Sequence, residues 1–322
     1  MPRSRTDMMQ MYRIAKMYYM DHMTQEQIAA EENISRSQIS RLLEQARTRG
    51  IVEINVRMPE RISLNELRRD LIRELRLKDV AIAPFEESTS EEDLIEAIAT
   101  AAATFLPKEL KSCRTVGVGW GRTVYRTSCV LSHRGAESEK LLVPLIGVSG
   151  TDNPALQVNA ILDRLGERLR AHTYFVNTPA FRESTVVFSD LEKKRLQQLH
   201  KYWDDLDAAI IGLGAPPGTK RFFVSEIPFR FASRIKSEKA IGDVLSQFYR
   251  ADGSLIPEVP GFERTAFDAA ALRQIPKVIC LAGGRDKVPA LIAGSRAGFY
   301  NMLVTDSVTA EAIYDAIRRE SR

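Results

Sequence analysis

From residue 80 onward the chain alternates near-continuous apolar runs of strand length with helical stretches, and this alternation restricts the fold more than any other feature. VAIAP at 80–84, TVGVGW at 115–120, LLVPLIGV at 141–148, HTYFVNTPA at 172–180, DAAIIGLGA at 207–215, KVICLAGG at 277–284 and NMLVTD at 301–306 read as strands. Helical stretches at 91–106, 123–132, 154–170, 189–203, 286–297 and 308–320 separate or follow them. Strands buried on both faces lose polar alternation, so the pattern predicts an α/β fold with a doubly covered, mostly parallel sheet. Ligands of such sheets sit at the carboxyl ends of strands, where glycine turns let backbone amides approach an anion at a helix start. Five strands end in that chemistry: GWGRT at 119–123, IGVSG with Gly147 at 146–150, GLGAPPGTKR at 212–221, AGGRDK at 282–287 and TD at 305–306. With Arg122, Thr123, Lys220, Arg221, Arg285 and Lys287 close by, a phosphorylated small molecule fits best. Neither GVGWGRT nor GLGAPPG has the spacing of a dinucleotide fingerprint, and a Walker A sequence is absent. An enzyme would look to Asp243, Glu226 or Asp306 for a base, but each also fits as a hydroxyl acceptor or a helix cap.

Residues 24–50, TQEQIAAEENISRSQISRLLEQARTRG, carry a second pattern. Thr24 with Gln27 and Ser35 with Gln38 are two capping boxes, each able to start a helix. Ile28, Ala29, Ile34, Ile39, Leu42, Leu43 and Ala46 form one inner face, and Asn33 suits the left-handed turn position, giving a helix-turn-helix. An αα-hairpin with a polar outer face is common in helical domains, so charge must decide its role. Residues 34–50 hold four arginines and one glutamate, whereas 25–33 hold three glutamates and no basic residue. Basic character is confined to the second helix, as DNA reading requires. The candidate DNA-binding residues are Thr24, Gln25, Ser35, Arg36, Ser37, Gln38, Ser40 and Arg41, with double-stranded operator DNA as partner. IVEINV at 51–56 suits a wing, and residues 6–21 a supporting helix with Met9, Tyr12, Ile14, Ala15, Met17, Tyr18 and Tyr19 on its core face. Ile62, Leu64, Leu67, Leu71, Ile72 and Leu75 form an amphipathic helix that links the domains, joining a subunit interface or packing on its own domain. The expected organisation is a winged helix-turn-helix at 1–57, a linker helix at 58–78 and an effector and oligomerisation domain at 79–322.

A net charge of +4 over 322 residues gives weak general attraction to nucleic acid, so the local arginines and doubling by oligomerisation must supply affinity. Cys113, Cys129 and Cys280 are widely spaced without a CxxC, as reduced core thiols of a cytoplasmic protein would be. The four histidines are scattered, so no metal site and no cofactor are expected. No apolar run approaches membrane-spanning length, and MPRSRTDMMQ has no signal core.

The order YYxxxxTQEQIAxxxxISRSQISRLLEQARxxGIVEINV at 18–56 resembles the N-terminal domain of SorC-type sugar-binding transcriptional regulators. The resemblance continues through VGVGWGRTV (116–124), VPLIGVSG (143–150), QVNAI (157–161), IIGLG (210–214), AIGDV (240–244), LAGGRDKVPAL (281–291) and NMLVTDSVTAEAI (301–313). It implies a winged helix-turn-helix joined to a domain like those of ribose-phosphate isomerase, glucosamine-phosphate deaminase and CoA transferases. It also implies a homo-oligomer, dimer or tetramer, whose DNA affinity responds to a sugar phosphate or polyol. Carried over by position, Gly121, Arg122 and Thr123 would form the phosphate turn, and Gln157, Arg221, Asp243 and Lys287 would line the effector site. Two departures affect the ligand and not the fold: Arg122 stands where the family more often has a hydroxyl, and Arg250 where an acid is common. The alternatives to a ligand-controlled regulator are a sugar-phosphate isomerase or deaminase-like enzyme, and a constitutive DNA-binding oligomer.

Overall fold

The computed structural model describes residues 5–52, 63–86, 90–132, 139–150, 153–215, 229–258 and 260–320. The chain divides into two compact units, Met1–Arg61 and Ile62–Arg322. The first contains α1 (Arg5–Tyr19), α2 (Gln25–Glu32) and α3 (Arg36–Thr48). Both capping boxes form, with Thr24 and Ser35 as N-caps, and Asn33 adopts the left-handed conformation at φ 53° that ends α2. Met11, Ile14, Ala15, Ile28, Ile39, Leu43 and Ala46 make a separate small core. Met9 and Tyr12, expected inside, are 64% and 54% exposed, because Met11 takes the inward position on α1. Two polar ties brace the helices: Arg13 pairs with Glu32 at 2.6 Å, and Arg47 Nε donates to the Tyr19 hydroxyl at 2.7 Å. Residues 53–56 of the expected wing lie outside the described residues.

The second unit begins with α4 (Leu64–Glu74) and continues through β1 (Asp79–Ala83), α5 (Glu91–Glu109), β2 (Thr115–Val118), α6 (Arg122–Val130) and β3 (Leu141–Pro144). Next come α7 (Val158–Leu169), β4 (His172–Thr173), β5 (Phe181–Glu183), α8 (Asp190–Asp204), β6 (Ala208–Ile211) and α9 (Phe229–Ser237). The chain closes with β7 (Gly242–Val244), β8 (Gln247–Tyr249), β9 (Phe262–Arg264), β10 (Lys277–Leu281), α10 (Val288–Arg296), β11 (Met302–Asp306) and α11 (Ser307–Glu320). Seven strands form one sheet in the order β1-β11-β10-β6-β2-β3-β4, and every pairing within it is parallel. The seven expected strands are these seven, although the run at 172–180 contributes only His172–Thr173. Two antiparallel pairs, β5 with β9 and β7 with β8, lie outside the sheet and had no clear period in the sequence.

The amphipathic helix expected to link domains is built into the second unit. Leu67 and Leu71 of α4 and Leu75 just after it are buried in the large core, and α4 packs on α11 and β1. Arg68 Nε donates to the Val80 carbonyl at 2.8 Å and the Ser295 hydroxyl to that of Leu75 at 2.9 Å. No helix among the described residues is long and apolar enough to cross a membrane.

From β2 the chain steps outward to β3 and β4, then returns through β6 to β10 and β11 in the other direction. The strand order therefore reverses between β2 and β6. Such a switch point opens a crevice at the carboxyl ends of the two strands, because the connections leaving them go to opposite sides.

Candidate functional site

A cavity of about 100 Å³ occupies that crevice. Its floor is Trp120–Thr123 after β2 and Gly212–Gly214 after β6, and one wall is the α5 face carrying Glu91, Leu94, Ile95 and Ile98. Asn153, Ala155, Asp243, Leu245, Leu281, Gly283 and Lys287 supply the rest of its lining. Gly121, at φ 132°, holds a conformation closed to other residues, which turns the chain from β2 into α6. No side chain caps α6, and Gly121, Arg122 and Thr123 at its start line the cavity. An N-terminus of this kind attracts negative charge through its dipole and its N–H groups.

Asp243 is delivered by the β7–β8 hairpin, whose tight turn places Leu245 and Ser246 at φ 50° and 58°. Its Oδ2 accepts from the Ser246 amide at 3.2 Å, while its carbonyl accepts from the Gly214 amide at 2.8 Å. Burial pushes the Asp243 carboxyl up to about 6, against the opposing pull of Lys287, the Ser246 amide and Arg264. Lys287 ends the AGGRDK turn, and its Nζ donates to the Leu213 carbonyl at 2.8 Å. Burial lowers the Lys287 ammonium from its ordinary value, partly offset by Cys280, Asp286 and Asp243. The turn before it is pinned from below: Gly284 N–H donates to the Thr309 hydroxyl at 2.6 Å, and Thr309 N–H donates to Asp306 Oδ1 at 2.8 Å. Asp306 is thus a buried cap of α11.

Between its ordinary value of 3.8 and about 6, the folded Asp243 holds a proton that the unfolded chain has released. Its contribution therefore makes stability fall as pH rises through that window. Asp243→Asn, which keeps an acceptor for the Ser246 amide, is expected to flatten that part of the profile of denaturant midpoint against pH. Equal slopes in the two proteins would remove Asp243 as the source.

Of the expected effector residues, Gly121, Arg122, Thr123, Asp243 and Lys287 line this cavity together. Gly147 does not line it; it is buried, with its amide donating to the Thr265 carbonyl at 2.7 Å. Gln157 also lies off the lining, at the start of α7, with Nε2 donating to the Ser149 carbonyl at 3.4 Å. Arg221, with Lys220 and Glu226, lies outside the described residues. Glu91 was missed: it carries an ion pair to Arg122. The i, i+3, i+4, i+7 spacing of Glu91, Leu94, Ile95 and Ile98 marks a common helix face, but nothing in the sequence says that this face meets a cavity. Among the described residues no group of His, Cys, Asp and Glu could hold a metal ion.

In the first unit, Ser40 and Arg41 are exposed on α3. Arg36 pairs with Glu26 at 3.0 Å with both side chains well exposed, and Gln25 is half-buried. Thr24, Ser35 and Gln38 are engaged in the capping boxes, and the Ser37 hydroxyl lies 2.9 Å from that of Ser35. Thr24, Gln25 and Arg36 share an open hollow with Tyr18, Tyr19 and His22.

The Sugar-bind family, a sugar-binding domain, matches residues 60–315. The chain is 29% identical over 308 residues to the sorbitol operon regulator of Klebsiella pneumoniae, covering 94% of this chain and 96% of that protein. It is 25% identical over 310 residues to the deoxyribonucleoside regulator of Bacillus subtilis (strain 168), covering 93% and 95%. The crystal structure of the full-length sorbitol operon regulator SorC from Klebsiella pneumoniae superposes with a TM-score of 0.71 at 28% identity, over 96% of this chain and 99% of that one. A fold, a switch-point cavity and full-length relatives that agree in this way have one reading: the chain belongs to the SorC-type family of sugar-binding transcriptional regulators.

Proposed function

We propose that this protein binds an operator through α3 of its first unit and releases or grips it according to a phosphorylated sugar or polyol held in the switch-point cavity. The observation that carries the reading is the joining of a three-helix unit, with Ser40 and Arg41 exposed on its second capped helix, to a sugar-binding domain with a cavity at its sheet's reversal. Arg41 and Ser40 are the base-edge candidates, and Arg36, Ser37 and the capped N-terminus of α3 fit phosphate contacts. In the second unit the uncapped α6 N-terminus with Arg122 and Thr123 receives an anionic group, and Asp243 and Lys287 fit hydroxyls. Arg221 and Gln157 are retained only as candidates from the family resemblance.

A single helix-turn-helix on a chain of net charge +4 is a weak binder, so the active species is a cytoplasmic homo-oligomer, dimer or tetramer. Paired α3 helices would read half-sites about one helical turn or a multiple of it apart. Effector and operator are then linked: whichever oligomer geometry the ligand favours must bind DNA with a different affinity. The named relatives are regulators, and turnover of a sugar phosphate is not part of this reading.

Selection of double-stranded DNA from a random pool by the full-length protein, followed by affinity measurement with and without a panel of sugars and sugar phosphates, tests both halves. Failure to enrich any sequence would overturn the operator half. Operator affinity that no ligand alters would leave a constitutive DNA-binding oligomer. On the selected operator, Arg41→Ala is expected to cost about 1–3 kcal/mol if it contacts a base edge. Unchanged affinity in that variant would remove α3 as the reading helix.

A further inference from the structure

Glu91 is the charged residue of the cavity wall to which the effector reading assigns no task. It is the first residue of α5, and its carboxylate pairs with the Arg122 guanidinium, the first residue of α6. Both side chains are about one-third exposed, at 30% and 33%, and both line the cavity. The α5 capping box is built from Ser90 and Asp93, so Glu91 is not needed to close that helix. Its charge is instead favoured by the α5 N-terminus, where Glu92 and Asp93 lie beside it. The cation that this chain places at the α6 N-terminus therefore arrives with its own counter-anion.

We propose that Glu91 is a specificity-determining residue, an internal carboxylate that competes with the effector's anionic group for Arg122. The inference rests on the effector reading of the cavity. Among the described lining residues the formal charges are Glu91 and Asp243 against Arg122 and Lys287, which balance. An uncharged sugar enters that site without disturbing the balance. A phosphate docking on the α6 N-terminus must either share one guanidinium with a neighbouring carboxylate or displace it, and like charges held close in a partly desolvated site repel. A displaced Glu91 is one-third exposed to solvent and keeps the partial favour of the α5 N-terminus, so the exchange is reversible without stranding a buried charge. Glu91 thus sets the affinity for anionic ligands below what the helix terminus and Arg122 would give alone, and leaves uncharged ligands unaffected.

The test compares full-length wild type with Glu91→Gln, which removes the charge and keeps the shape and a hydrogen-bonding head. Thermal stabilisation is titrated with inorganic phosphate, sorbitol 6-phosphate and sorbitol at constant ionic strength. The phosphate midpoint is expected to fall roughly fivefold in E91Q, the scale of a partly exposed ion pair, with no change for sorbitol. The gain should vanish in the Arg122→Gln background, since the two residues contend through that guanidinium. Unchanged or weaker phosphate binding in E91Q would overturn the proposal, the weaker case making Glu91 a positioning residue for Arg122. A gain that persists without Arg122, or no stabilisation by phosphate in either protein, would also overturn it. These outcomes are separable from failure of the effector reading, which appears as wild-type operator binding that no sugar or sugar phosphate alters.

Discussion

Ile39→Ala is expected to unfold the first unit while the second stays folded, and to abolish operator binding. Among the described residues Ile39 is fully buried in a small core with Met11, Ile14, Ala15, Ile28, Leu43 and Ala46, and the apolar side chains packed around it, such as Ile34 and Leu42, are only partly buried. Removing a buried isoleucine side chain costs about 2–5 kcal/mol, including the cavity left behind. A unit spanning only Met1–Arg61 has a stability of the same order, because small domains bury a smaller fraction of their surface than large ones. Circular dichroism should show partial loss of helix, and a ligand-responsive melting transition of the second unit should remain. Operator binding within threefold of wild type would show that this core does not hold α3 in place. The comparison with Arg41→Ala separates the two roles of α3, since that variant should lose affinity with no change in melting.

Gly214→Ala is expected to weaken the effector response strongly while leaving operator affinity intact. A Cβ at Gly214 would overlap Oδ1 of Asp243 and lie 2.7 Å from its Cγ. The carboxylate has no easy retreat, because the amide of Gly214 and the turn at Ser246 fix the hairpin that carries it. Overpacking of this sort costs about 1–3 kcal/mol. If it is borne by the ligand-ready geometry, the concentration of effector giving half-maximal response should rise by roughly tenfold to a hundredfold. A normal response in G214A would mean that Asp243 is not at the ligand.

Much of the candidate site was legible because its parts are local. The two capping boxes, the left-handed Asn33 and the glycine turns after β2, β6 and β10 are fixed by residues within a few positions of one another. Of the five cavity-lining positions carried over by resemblance, Gly121, Arg122, Thr123 and Lys287 follow strands of the same parallel sheet, and Asp243 joins them from the β7–β8 hairpin outside it. Helix faces were less legible. The broad apolar stripe of α1 gave no means of ranking Met11 above Met9 and Tyr12, since three small helices bury only a narrow face. The apolar face of α4 was visible, but whether it met another subunit or its own domain depended on the placement of α11 and β1.

By itself the sequence determined that the seven strands of the sheet alternate with helices and that a basic capped helix precedes them. Those properties follow from backbone geometry, turn chemistry and side-chain period, which act over one to four residues. Only the tertiary structure decided that the sheet reverses between β2 and β6, that a hairpin brings Asp243 under Gly214, and that Glu91 reaches Arg122 across 31 residues. Strand order is set by which helix faces bury best against the whole sheet, and residues far apart in sequence meet only once that order exists. The chemistry of the cavity belongs to this second class, because its charge balance is a property of neighbours and not of any one segment.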